Sequence, residues 1–228
     1  LLYALTPPKA EFEEAKLREI ADRWTARIES LNADGLVLYE VQDESDRSDA
    51  QRTFEFSGTL SPQSYYANYL SVATPGVFYR VAGGYDESEF RAALAAQSAD
   101  LCVLVGATSS AQKTRLDLTR AYEIAGEFKN LASGGVCIAE RHGKKGDEPQ
   151  RMLEKIRLGA KFFVSQAIFD ADLARKFLED CAAAEISEPI FLTFSTAGNP
   201  KTLEFIKWLG VSVPQSVESR LNTSADYL

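Results

Sequence analysis

The sequence is short of the residues from which covalent and metal-bound frameworks are made. Its three cysteines, Cys102, Cys137 and Cys181, are an odd number at wide spacing with no Cys-x-x-Cys pair. Cys102 and Cys137 lie inside apolar runs and are expected as buried, reduced thiols, which fits a cytoplasmic protein. His142 is the single histidine, and no second His or Cys stands at ligand spacing, which argues against a metal site. Positive charge is also scarce: 25 Lys and Arg face 33 Asp and Glu, for a net charge of -8 and a pI near 4.9. That balance argues against nucleic acid or an anionic membrane as the main partner and leaves a small molecule. No apolar run approaches the ~20 residues of a spanning helix, and no signal-peptide pattern is present. What is there is 228 residues, 45% hydrophobic and 25% charged, enough for one sizeable core.

Apolar β-type runs alternate with amphipathic segments throughout. "LLYALT" (1–6) precedes a helical pattern from about Glu11 to Leu31, and "GLVLYEV" (35–41) is followed by a polar stretch and a short helix carrying "YYANYL". "GVFYRVAG" (76–83), "DLCVLVGA" (100–107), "GGVCIAE" (134–140), "KFFVSQAIF" (161–169) and "PIFLTFS" (189–195) each precede a further helical segment. Pro149 suits a first helical turn and Gly210 a helix C-terminus. Seven strand-then-helix units with near-continuous apolar strands predict a parallel sheet covered on both faces. A dinucleotide-binding doubly wound sheet calls for G-x-G-x-x-G after the first strand, where Pro7-Pro8 stands instead. The pattern favours one (β/α)8 TIM-type barrel domain over residues 1–228, its eighth unit not visible and the barrel open or truncated at that end.

Barrel chemistry sits at the C-terminal strand ends, here Thr6, Glu40, Gln42, Asp43, Arg80, Gly106, Ala107, Glu140, Arg141, His142, Ser165, Gln166, Thr193, Ser195 and Thr196. This mixture of amides and hydroxyls suits recognition of a polar heterocycle. Gln166 is an uncharged amide in apolar company, so it either pairs within the core or faces a ring with matching edges. The acidic run "QDESDRSD" (42–49) lacks Asp-x-Asp-x-Asp-Gly spacing and reads as a solvated loop, as does the Lys144-Lys145 pair.

"TPPK" after the first strand, "RHGKKGDEPQRMLEKIRLGAKFFVSQAIFD" across units five and six, and "NPKTLEFIKWLGVSVPQSVESRL" near the end together resemble the methylenetetrahydrofolate reductase family. The resemblance implies a (β/α)8 barrel of one-carbon metabolism that holds FAD. Such a flavoprotein passes a hydride from NADH or NADPH to 5,10-methylenetetrahydrofolate. It matches His142 to a histidine near the flavin, Lys155 to a helix lysine at the cofactor's phosphate-bearing part, Asp147 to a further cofactor contact and Gln166 to the pterin-binding glutamine. The subunit number stays open, a homo-oligomer included.

Several family positions are changed. The general acid, a Glu three residues before Pro-Pro, is Ala4 here; the Arg-Gly-Asp ending strand four is Val105-Gly106-Ala107; the Gly-rich segment after strand two is "EVQDESDR"; and Ile138-Ala139 stand for Tyr-Pro. Glu40 and Glu140 are the candidates to replace the acid. The alternatives are a non-reducing folate- or flavin-binding homologue serving a methyl-transfer partner, or a barrel enzyme with another substrate.

Overall fold

The computed structural model describes residues 1–42, 56–97, 100–107, 114–142, 146–197 and 199–223. All of the acidic run except Gln42, and the Lys144-Lys145 pair, lie outside the described residues. Seven strands alternate with helices: β1 (Leu2–Leu5), α1 (Glu14–Leu31), β2 (Gly35–Leu38), α2 (Pro62–Asn68), β3 (Gly76–Val81), α3 (Glu87–Ala96), β4 (Leu101–Val105), α4 (Leu118–Gly126), β5 (Ala132–Cys137), α5 (Glu148–Arg157), β6 (Phe163–Ala167), α6 (Ala171–Ala183), β7 (Ile190–Thr193), α7 (Pro200–Trp208) and α8 (Gln215–Thr223). No eighth strand occurs among the described residues. They fall into two compact units, one up to Gly134 and the other from Gly135 onward.

In the first unit β1 to β4 pair in parallel in chain order, with Ala4 beside Val37, Val37 beside Val77 and Tyr79 beside Val103. Both β2 and β3 are buried along their whole length, as strands covered on two faces must be. Leu5, Leu36, Leu38 and Phe78 form one face and pack with Ala21 and Ile28 of α1 and Tyr65 of α2. Strand alternation puts Ala4, Val37, Tyr39, Val77 and Tyr79 on the other face, where the Tyr39 and Tyr79 rings meet edge to face at 4.7 Å.

Arg80 corrects one expectation. It shares Phe78's face, is 1% exposed, lies over the Phe78 ring at 5.5 Å, and donates to Gln63 (3.2 Å) and Gln97 (3.4 Å). It therefore belongs to the helix-facing layer and not to the polar strand-end ring, because the two-residue period fixes its side once Phe78 is in the core.

In the second unit β5, β6 and β7 also pair in parallel in chain order, with Cys137 beside Ser165 and Val164 beside Phe191. Strand order that follows chain order belongs to the barrel type, whereas a doubly wound sheet reverses at a switch point. Short polar caps start the helices. The side chains of Asp86, Asp117, Asp147, Asp170 and Asn199 each accept the backbone N–H three residues on, opening α3, α4, α5, α6 and α7. Pro149 stands in the first turn of α5, and Gly210, with φ +87°, follows α7 in the left-handed region. All three cysteines are buried, and burial pushes the Cys102 and Cys137 thiols up to about 12 and Cys181 to about 11.

Candidate functional site

The polar ends of β5 and β6 carry three of the sequence-predicted site residues, Glu140, His142 and Gln166. Gln166 stands at a β-bulge: β6 uses three steps from Val164 to Ala167 where β7 uses two from Phe191 to Thr193. The bulge has its own brace, since the Ser165 hydroxyl accepts the Thr193 amide at 2.9 Å and donates to the Gln166 carbonyl at 2.8 Å. From this position the Gln166 side-chain amide points at the Leu209 carbonyl, 3.4 Å away, a long contact. Glu140 accepts the Ser212 amide at 3.0 Å, and the Ser212 hydroxyl donates to Asp170 at 3.2 Å. The segment Leu209–Ser212 is thus strapped across the ends of β5 and β6 by three polar contacts.

His142 follows the 3-10 turn Ala139–Arg141 and turns toward α6. Its Nε2 is 2.8 Å from Asp180, which also receives Lys176 (2.5 Å), and its ring meets Phe177 at 6.3 Å. The Lys176 and His142 hydrogen bonds hold the Asp180 carboxyl below the usual range. Among the described residues the buried His142 Nδ1 has no hydrogen-bond partner, and Asp147, 3.8 Å from it, is too far for one. Asp147 caps α5 through the Gln150 amide.

Lys155 donates to the Val136 carbonyl at 2.5 Å. Seven residues before it, Glu148 is 0% exposed and accepts the Ile138 amide at 3.0 Å, its second oxygen having no hydrogen bond among the described residues. Burial raises the Glu148 carboxyl and lowers the Lys155 ammonium, and each charge partly offsets the other's shift. Glu148 is not singled out by the sequence, where an acidic residue beside a helix cap reads as ordinary first-turn charge.

At the end of β2, Glu40 accepts the Val81 amide at 2.6 Å and the Tyr85 hydroxyl. Burial raises its pKa against the pull of those two bonds and of Arg80. Ala4, Val105 and Ala107, in the acid and Arg-Gly-Asp positions, offer no ionisable group.

The residues carried over for FAD do not fit it as they are arranged. Lys155 directs its ammonium into β5 with Glu148 as its countercharge, His142 binds Asp180, and Ala107 has no carboxylate to offer. Gln166 keeps an amide at a strand end, with a long contact to the Leu209 carbonyl. Among the described residues no group of three or more His, Cys, Asp or Glu could hold a metal, and no helix is long and apolar enough to cross a membrane.

Parallel β/α units in chain order with polar strand ends define a protein of the (β/α)8-barrel type. The family model described as methylenetetrahydrofolate reductase matches residues 140–227. A solved structure of an uncharacterized protein from Clostridium thermocellum, described as binding two copies of 5-methyl-5,6,7,8-tetrahydrofolic acid, is 36% identical. The match has a TM-score of 0.82 and covers 100% of this chain and 77% of that one. This chain belongs to the methylenetetrahydrofolate reductase family. Two structures of Rhizobium etli pyruvate carboxylase, 14% and 15% identical, each match with a TM-score of 0.50 over 97% of this chain and 44% and 25% of theirs; they share the fold alone. None of the curated proteins matches the chain.

Proposed function

We propose that the chain binds a reduced folate of the 5-methyltetrahydrofolate type and does not catalyse the flavin-dependent reduction of its family. The observation that carries this reading is the ligand described for the 36% identical relative, matched along the whole chain. The retained Gln166 supports it, since a side-chain amide both donates and accepts and suits the edge of a pterin. The missing acid supports it too. Opening the methylene bridge needs a proton on the leaving nitrogen, and general acid catalysis is worth ~10² to 10⁴-fold. Ala4 cannot supply that proton, and Glu40 and Glu140 are engaged by backbone amides. On this reading the chain is one cytoplasmic barrel domain that holds a methylated folate for a methyl-transfer partner.

Reduction of 5,10-methylenetetrahydrofolate with FAD and NADH or NADPH is the second reading, favoured by the methylenetetrahydrofolate reductase family model that matches residues 140–227. An absorbance spectrum of the purified protein with added FAD separates the two, followed by anaerobic NADH or NADPH and then methylenetetrahydrofolate. The proposal expects no retained flavin bands. Bands that bleach with nicotinamide and return with folate would establish the reductase and overturn it.

A further inference from the structure

We infer that Ser165 and Ser212 are positioning residues that aim the Gln166 amide at the folate; this rests on the proposed folate site. An amide at the end of a regular strand would have its side fixed by alternation. Here the extra residue between Val164 and Ala167 breaks the register and re-aims the side chains at the strand end. A bulge leaves ladder groups unpaired, and the Ser165 hydroxyl makes good that loss. It takes the Thr193 N–H and gives its own proton to the Gln166 carbonyl, so it fixes the backbone of Gln166 itself. Ser165 is 6% exposed, so water is a poor substitute for either bond.

Ser212 acts from the opposite side. Its amide on Glu140 and its hydroxyl on Asp170 tie the strap to the 3-10 turn after β5 and to the N-cap of α6, which places the Leu209 carbonyl in front of the Gln166 amide. The 3.4 Å contact is long enough for a ligand to replace it at little cost. The side chain is therefore held toward the strap without being locked, and a pterin edge that enters there meets a donor and an acceptor already oriented.

The test is a mutant cycle on the whole chain, with the dissociation constant for 5-methyltetrahydrofolate read by calorimetry. Ser165→Ala is expected to weaken binding about tenfold, through loss of both hydroxyl bonds that brace the bulge. Ser165→Thr, which keeps the hydroxyl, should restore it. In a Gln166→Ala background Ser165→Ala should cause no further loss, because the residue it positions is gone. Ser212→Ala should behave in the same way and serves if Ser165→Ala does not fold. Equal losses with and without Gln166, or a threonine variant no better than alanine, would overturn the inference while folate binding by the wild type stands. A wild type that binds no folate would overturn the proposed function, and this inference with it.

Discussion

Lys155 on α5 donates to the carbonyl of Val136 on β5, 2.5 Å away, while Glu148, two turns earlier on the same helix face, accepts the amide of Ile138. The two side chains grip one strand on either side of Cys137, with opposite charges that lessen each other's burial cost. This clamp fixes the C-terminal end of β5.

Lys155→Met should therefore destabilise the fold by about 2 kcal/mol, because it removes the bond to the Val136 carbonyl and the largest positive charge acting on buried Glu148. Folate affinity should not change. Urea unfolding alongside a folate titration checks this. A variant of wild-type stability with lost ligand affinity would put the lysine in the ligand site instead.

Glu148 should impose a pH dependence of definite sign. Burial holds its carboxyl above the ordinary 4.5, so the folded protein binds this proton more tightly than the unfolded chain. Its stabilising contribution is fully present below pH 4.5 and is lost as the pH rises through the elevated value. Glu148→Gln should be flatter than the wild type over that window. Urea midpoints across the range test it, and parallel curves would contradict it.

Glu40 is expected to be structural. Glu40→Ala strands the Val81 amide and the Tyr85 hydroxyl and should cost about 2 kcal/mol, whereas Glu40→Gln keeps an acceptor for Val81 and should cost less. Both should bind folate as the wild type does. Loss of folate binding in a stable Glu40→Gln protein would return this residue to the functional acids.

The thiols should be silent in the native state. Buried, with pKa values pushed to about 11 or 12, they expose almost no thiolate at about pH 8. Labelling with a thiol reagent should proceed only after denaturation. Rapid native reaction at any of the three would show that the structure around it opens locally.

Much of this architecture is legible in the sequence. Period and punctuation mark the units, with Pro149 in the first turn of α5 and Gly210 ending α7, because first-turn prolines and glycine turns are local chemistry. Arg80 is misplaced by such a reading because a charged residue at a strand end looks like a mouth residue until Phe78's face is known. Ser165 and Gln166 stand out as polar, but a bulge depends on the register against β7, which no single strand reveals. The partners of His142, Lys155 and Glu140 are hidden for the same reason: Asp180, Val136 and Ser212 lie 38, 19 and 72 residues away in the chain.

The most direct measurement is a calorimetric titration of flavin-free protein with 5-methyltetrahydrofolate, repeated with saturating FAD. Saturable binding that FAD leaves unchanged and Gln166→Ala weakens is the predicted result. Binding that appears only once FAD is present, or none in either case, would contradict the account.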